Sequence, residues 1–250
     1  MTGEVVLWML IAAMVIIDVA VATKIVHGEH AINLQTSSAP GTPRILPTVA
    51  AAPTPLGPAA TAAQKAEQDD SDSLPGRFVP TQGRQHLGTY PLSTRVPFCK
   101  DADFAGSCYA SNPPSSGLHL PVQGTVLLDD GNRLKIPPDP GVYDFQIPRE
   151  AIPHIEEHAG VYVGYNCATD SCAKTAERLK NLVTQEISLG GRVVLSPDAD
   201  LPADSIGMAA WTRVDDFAAS DYSDERVRAF IKAHSCRFDP ELFCPTKPTL

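Results

Sequence analysis

Residues 160–197, GVYVGYNCATDSCAKTAERLKNLVTQEISLGGRVVLSP, carry the clearest secondary-structure pattern of the chain. Its opening run, GVYVGY (160–165), is short, apolar and rich in strand-forming residues, which predicts a buried strand. The following segment, CAKTAERLKNLVTQEISL (172–189), predicts an amphipathic helix. RVVLSP (192–197) then predicts a second strand, so the pattern passes from strand to helix and back to strand.

Two further elements follow this stretch toward the C-terminus. IGMAAWTRV (206–214) predicts a third strand. Ser223 predicts the N-cap of a last helix, DERVRAFIKAH (224–234), whose acidic first turn suits the helix dipole. The order β-α-β-β-α predicts an α+β fold in which a small β-sheet has helices packed on it.

The half that precedes the first strand is rich in turns. From about Phe78 to Pro148, runs such as SNPPSSGLHLP and IPPDPG favour short strands and ordered loops. TVLLDDGNRLKI (125–136) predicts a hairpin that turns around Asp130 and Gly131. We therefore expect a loop-rich N-terminal half joined to the β-α-β-β-α half in one globular domain, residues 78–250.

The N-terminal third does not have a globular composition. After a tail of residues 1–4, residues 5–22 are almost wholly apolar and contain only Asp18 as a charged residue, which predicts a transmembrane signal anchor. Residues 23–77 are rich in Pro, Ala and Thr and predict a disordered linker. The fold is thus expected to follow a membrane helix. The alternative is a secreted protein whose signal peptide is cleaved near Ala22, although the leading MTGE has no Lys or Arg.

Six cysteines fall in three close pairs, which indicates disulfides in an oxidising compartment. The pairs are Cys99/Cys108, Cys167/Cys172 and Cys236/Cys244. The alternative is six reduced thiols in a cytosolic protein, which the hydrophobic leader disfavours. These features predict a single-pass protein of the cell membrane whose C-terminal domain is extracytoplasmic.

The charge of the chain argues against one class of partner. The formal net charge is −9 and no cluster of Lys and Arg is present. A nucleic-acid partner is therefore not expected. The membrane, crossed by a single span, is the partner that the sequence predicts, and the acidic surface identifies no protein partner.

The segment PHIEEHAG (153–160) raises the question of a metal site. On a helix, His154 and His158 lie four residues apart on one face, where both imidazoles can reach one ion. The order H-x-x-E-H is also the signature of inverted zincins, in which Glu157 would activate water on zinc. The strand predicted from Gly160 leaves this helix few turns, and no third ligand on another helix is visible. A zinc-dependent hydrolase is therefore an alternative and not the first prediction.

Several motifs, taken in their order along the chain, are similar to those of one bacterial family. NPPSSGLH (112–119), GVYDFQIP (141–148), HIEEHAGVYVGY (154–165) and AAWTR (209–213) resemble the signatures of the family catalogued as domain of unknown function 3105. An upstream histidine, His86 in QGRQHLG, belongs to the same resemblance, which covers about residues 80–241. The resemblance implies one folded, outward-facing domain and leaves the activity open.

The chain departs from that family pattern at a few positions while keeping every histidine. Leu118 replaces a proline, Ile155 and Glu156 replace a polar residue and a leucine, Ala159 enters before Gly160, and Thr212 replaces a glycine.

Four histidines in the matching motifs, together with one glutamate, form the predicted metal site. They are His86, His119, His154 and His158, with Glu157 as a ligand or an orienting residue. Neutral imidazoles suit zinc or copper, and the stiff turn before His119 can hold its ring in place. The alternative is that the histidines bond each other and backbone carbonyls, and so join the loop-rich half to the sheet.

Three functions stay open on the sequence. The first is a membrane-tethered extracytoplasmic domain that binds zinc or copper. The second is a zinc hydrolase with Glu157 as its base. The third is a non-catalytic membrane-tethered interaction module.

Overall fold

The strand predicted from Gly160 lies inside a six-stranded mixed sheet. The computed structural model describes residues 58–99 and 108–245. In chain order the elements are α1 (Pro58–Gln68), β1 (Arg77–Phe78), β2 (Gly124–Leu127), β3 (Arg133–Ile136), β4 (Gly141–Val142), a 3-10 turn (Arg149–Ala151), α2 (Ile152–Glu157), β5 (Val161–Asn166), α3 (Asp170–Ser188), β6 (Val193–Pro197), β7 (Ser205–Ala210), β8 (Arg213–Ala218), a second 3-10 turn (Ala219–Asp221) and α4 (Asp224–His234). The strand order in the sheet is β1-β8-β7-β5-β6-β4.

Strand β5 joins the parallel and antiparallel parts of this sheet. It pairs in parallel with β6, where Tyr162 faces Val194, and antiparallel with β7, where Tyr162 faces Ala209. A parallel pair needs a crossover connection, which α3 supplies. Strand β4 is also parallel to β6.

Alternate residues of β5 enter two different cores, because successive side chains of a strand point to opposite faces. Val161 and Val163 pack in a core with Leu179 of α3 and Phe230 of α4. Tyr162 packs in a second core with residues of α2 and of the β2–β3 hairpin, among them Ile152, Ile155, Leu134 and Ile136. The sheet therefore lies between the helices α3 and α4 on one face and α2 with the hairpin on the other.

The local signals for hairpin and helix caps are confirmed. β2 and β3 pair antiparallel in register from Gly124–Ile136 to Leu127–Arg133. Ser223 accepts a hydrogen bond from the backbone N–H of Arg226 at 3.2 Å and so caps α4.

The predicted third strand is wrong, since residues 206–214 contain a turn. β7 ends at Ala210 and β8 begins at Arg213, and the two pair antiparallel. Thr212 has a φ of +62°, a left-handed conformation that glycine adopts far more readily. The turn was missed because neither Trp211 nor Thr212 is a typical turn residue.

The predicted fold class is wrong in the size of the sheet and in the elements that precede it. The fold is mixed α+β, but its sheet has six strands, and the turn-rich half supplies β1 and β4 at the two edges. Helix α1 lies within the segment predicted to be a disordered linker. Its Ala63 and Ala66 pack against Trp211 and Phe238, so residues far along the chain supply the core that the local composition lacks.

The membrane helix in the predicted fold class is corrected as well. Within residues 58–99 and 108–245, no helix has the length and hydropathy needed to cross a bilayer. The segment 5–22 on which that prediction was based, and the alternative cleavage position at Ala22, lie outside the described residues.

All three predicted disulfides are confirmed. The Cα atoms lie 5.2 Å apart in Cys99–Cys108, 5.1 Å in Cys167–Cys172 and 5.9 Å in Cys236–Cys244. Because structural disulfides persist in oxidising compartments, these bridges indicate an extracytoplasmic environment.

Candidate metal centre

Two loops of the turn-rich half bring His86 and His119 side by side. The backbone N–H of His119 donates to the carbonyl of Gln85 at 3.1 Å, and the N–H of Leu87 donates to the carbonyl of His119 at 2.7 Å. The pair forms an isolated parallel bridge, and the ring centroids lie 4.8 Å apart. His86 and His119 are 33 positions apart in the sequence. The backbone pairing between them therefore places both imidazoles in one site.

The turn before His119 is buried in the protein. Residues 113–117 are all buried, and Ser115 accepts a hydrogen bond from the N–H of Thr212 at 2.9 Å. Gly117 has a φ of +103°, which is favourable only for glycine. The ring of His119 is accordingly presented from a fixed backbone.

One ring nitrogen of His119 is hydrogen-bonded to the backbone, and the other faces Glu157. Its Nδ1 lies 2.8 Å from the carbonyl of Gly117 and must donate there, since a carbonyl only accepts. In the neutral ring, Nε2 is then a bare lone pair. This atom is fully buried and lies 2.9 Å from Oε2 of Glu157. A lone pair and a carboxylate oxygen at that distance repel each other unless a proton or a cation lies between them.

Glu157 reaches His119 from the last turn of α2. Its side chain is buried, and Arg84 lies 3.8 Å from its Oε1. Burial raises the pKa of this carboxyl, but contact with His119 and the charge of Arg84 lower it by more, so that the net shift is downward. Glu157 is therefore held as a carboxylate, the form that binds metal.

Three donor atoms converge at this point of the molecule. One ring nitrogen of His86, one of His119 and one carboxylate oxygen of Glu157 all lie within 4.8 Å of one another. His119 and Glu157 are buried, whereas His86 is exposed. The arrangement thus has a buried base and one side open to solvent.

His154 and His158 lie next to this group but bond to each other. Nδ1 of His154 donates to the carbonyl of Leu120 at 2.6 Å, so its Nε2 is an acceptor, and the Nε2 of His158 lies 3.1 Å away. The ring centroids of His119 and His154 are 5.0 Å apart. Burial lowers the pKa of His154 to about 4 and also lowers the pKa of His158. Both rings are neutral at pH 7 and add no positive charge beside the three donors.

A C-terminal segment that sequence reasoning missed covers His158. Glu241 Oε2 lies 3.4 Å from the Nε2 of His158, and the ring of Phe243 stacks on His158 with centroids 4.1 Å apart. Arg84, which faces Glu157, was missed too. The position of Arg84 two residues before His86 could have indicated that it lies near the site. For Glu241 and Phe243 the only indication was that they lie between Cys236 and Cys244.

His234 and Met208 lie away from the three donor atoms. His234 packs edge to face on Phe230, and its Nε2 donates to the carbonyl of Pro75 at 2.8 Å. Met208 is fully buried in the core between the sheet and α3.

Comparison with known proteins adds a family and no activity. The model of the family described as Protein of unknown function (DUF3105) matches residues 105–244, more than half of the chain. His119, His154, Glu157 and His158 lie inside the matched range, while Arg84 and His86 precede it. No curated protein and no solved structure matches the chain.

Proposed function

This chain belongs to the family described as Protein of unknown function (DUF3105), and we propose from its own residues that it is an extracytoplasmic domain that binds one divalent transition metal ion through His86, His119 and Glu157. The family description supplies no chemistry. The proposal therefore depends on the donor atoms and on what surrounds them.

The observation that carries the proposal is the pair formed by His119 and Glu157. The buried Nε2 of His119 faces Oε2 of Glu157 at 2.9 Å, a contact that requires a proton or a cation between the two atoms. Two ligands of one tetrahedral ion, each about 2.0–2.2 Å from it, lie roughly 3.3 Å apart. The observed distance is close to that value, and an ion would occupy the position between the two atoms that otherwise requires a proton. The hydrogen bond from Nδ1 to the carbonyl of Gly117 is the usual support of a metal-bound imidazole.

The donor set favours zinc or copper. Two imidazoles and a carboxylate suit both ions, whereas calcium and magnesium prefer oxygen ligands alone. Three protein ligands with an open fourth position are typical of zinc sites that bind an exogenous molecule. The exposed side of His86 provides that opening.

In this arrangement Glu157 is a ligand, so the hydrolase alternative lacks its base. A general base must be free to reach a water molecule, and a carboxylate 2.9 Å from a metal-ligating nitrogen is engaged with the ion instead. His154 and His158 support the site as neutral neighbours that do not repel a cation. The proposal is therefore binding without hydrolysis.

The test is calorimetric titration of the metal-free protein with zinc and, separately, with copper(II). We expect one ion per chain, and we expect Glu157→Gln to weaken binding at least about tenfold. Glu156→Gln is the matched control. Glu156 is equally buried on the same helix, and burial raises its pKa well above the usual value, so glutamine replaces a neutral group.

Two results would overturn the proposal. One is the absence of stoichiometric binding of either ion to the wild-type protein. The other is equal affinity of Glu157→Gln and Glu156→Gln, which would mean that the carboxylate is no ligand and that the histidines serve to join the loops.

A further inference from the structure

A cavity lies apart from the three donor atoms, between the turn-rich half and the 3-10 turn before α2. Its volume is about 270 Å³, close to the lower end of the range for small-molecule sites. Tyr90, Leu92 and Leu128 form part of an apolar wall, and Arg95, Asp129 and Glu150 also line it. None of the proposed metal ligands takes part in this lining.

Glu150 is the buried polar group of the cavity. Its side chain is 2 % exposed, and its Oε1 accepts a hydrogen bond from the backbone N–H of Val96 at 2.9 Å. Its second oxygen receives no hydrogen bond from any residue in the described ranges. A buried carboxylate that uses one oxygen only is costly unless a ligand or water satisfies the other.

The charge around Glu150 is negative on balance. Arg95 is the cation of the lining, and it already faces Asp200 at 3.2 Å as well as Glu150 at 3.7 Å. Asp129 and Asp130 stand exposed at the same cavity, and neither forms an ion pair with another residue of the described part of the chain. The cavity therefore has more carboxylates than cations, and the group it can best accept is positive.

We propose that this cavity binds a protonated amine carried on a short apolar chain. The ammonium group would donate to the second oxygen of Glu150, a charge-assisted hydrogen bond. The apolar chain would lie along Leu92 and Leu128, and the aromatic ring of Tyr90 adds a surface that attracts cations. A free alkylamine and a lysine side chain of a peptide share this chemistry.

The test is an NMR titration of the full chain with n-pentylamine at pH 7, where the amine is protonated. We expect saturable shifts at Tyr90, Leu128 and Glu150, and none of comparable size with 1-pentanol or hexanoate at equal concentration. An Nα-acetyl-lysine methylamide titration distinguishes the two sources, because a site that accepts only free amines will not shift with it. Equal binding of 1-pentanol, or stronger binding of hexanoate through Arg95, would overturn the proposal.

Variants separate the carboxylate from the rest of the cavity. Glu150→Gln should weaken pentylamine binding about tenfold or more, since a charged hydrogen bond is lost. Asp144→Asn is the matched control, because it removes the same charge from an exposed position outside the lining. If Glu150→Gln does not fold, Asp129→Asn at the exposed rim tests the same idea with an expected loss of about twofold to fivefold. Unchanged affinity in whichever of these two variants folds would contradict the proposal.

Discussion

At the scale of single residues, Ala159 and Gly160 determine how helix α2 ends beside the candidate metal centre. The N–H of Ala159 donates to the carbonyl of Glu156 at 3.1 Å, and the N–H of Gly160 donates to that of Ile155 at 2.9 Å, the two bonds of a Schellman motif. Ala159 has a φ of +64°. Glycine is the usual residue there, because a Cβ atom costs about 1–2 kcal/mol in this conformation.

We expect Ala159→Gly to raise the free energy of unfolding by about 0.5–1 kcal/mol. The relief of the left-handed strain exceeds the entropy that glycine adds to the unfolded chain. Gly160→Ala is the matched control with the opposite sign, since its Cβ would lie 2.7 Å from the backbone oxygen of Ile155. Urea denaturation measures both, and a loss of stability in Ala159→Gly would contradict the assignment.

His234 links the stability of the fold to pH. Burial, together with repulsion from Arg237 and Arg213, lowers its pKa to about 4, although the hydrogen bond to Pro75 opposes the shift. In the unfolded chain, His234 has a pKa near 6.5 and therefore binds its proton at a higher pH than it does in the folded protein. The contribution of the neutral ring to the free energy of unfolding is therefore complete above pH 6.5. It is lost as the pH falls from about 6.5 toward 4.

We expect His234→Gln to be less stable than the wild type at pH 7 but to have a flatter pH profile. Between pH 6.5 and 4, the slope of the free energy of unfolding should fall by up to about 1.4 kcal/mol per pH unit, the value for one proton. Denaturation at a series of pH values measures this slope. A slope identical to that of the wild type would show that His234 binds its proton equally in both states.

At the scale of elements, the segment after α4, residues 235–245, packs beside the candidate metal centre. Cys236 donates its N–H to the carbonyl of Ala159 at 2.9 Å and is bridged to Cys244. Between them, Glu241 and Phe243 contact His158. The disulfide closes a short loop and so limits how far these two side chains can move from the histidine.

We expect the double variant Cys236→Ala/Cys244→Ala to lose about 2–3 kcal/mol of stability, as the chain-entropy model gives for short loops. Backbone amides of Leu242 and Phe243 should exchange faster with deuterium, since Phe243 is no longer held on His158. The control is Cys167→Ala/Cys172→Ala at the turn from β5 to α3, which should cost a similar free energy.

The two double variants differ in where exchange increases. In the control, the faster exchange should be confined to the turn near residues 167–172. Equal acceleration of Leu242 and Phe243 in both variants would show that the Cys236–Cys244 bridge does not hold this segment specifically.

At the scale of the whole molecule, the proposed metal site joins parts of the chain that no single element contains. His86 comes from a loop, His119 from a buried turn and Glu157 from α2. In the unfolded chain these donors are far apart, so an ion bound by all three stabilises the folded state alone. Zinc at 100 times its dissociation constant should add about 2.7 kcal/mol.

We therefore expect the melting temperature to rise with the concentration of zinc or copper(II) and to fall again with EDTA. His119→Gln removes the central ligand and should abolish the rise. His234→Gln is the control, because it removes a buried histidine outside the site and should keep it. Differential scanning calorimetry measures the shift, and an equal rise in both variants would point to binding elsewhere.

Features whose signals are local could be predicted from the amino-acid sequence. The apolar run of β5, the amphipathic spacing of α3, the cap at Ser223 and the hairpin at Asp130 each depend on residues a few positions apart. The three disulfides were predictable for the same reason, since each closes a short loop. In the candidate site, the i, i+4 spacing of His154 and His158 and the stiff turn before His119 were visible in advance.

Features that depend on residues far apart in the chain could not be predicted and became visible only in the folded structure. The composition of helix α1 does not predict that it is buried, but the helix packs against Trp211 and Phe238. His86 meets His119 through a backbone bridge, and Glu157, rather than the pair His154 and His158, completes the donor group. Periodicity and propensity describe neighbours along the chain, whereas the energy of burial and of ligand convergence comes from contacts that form only when distant segments pack together.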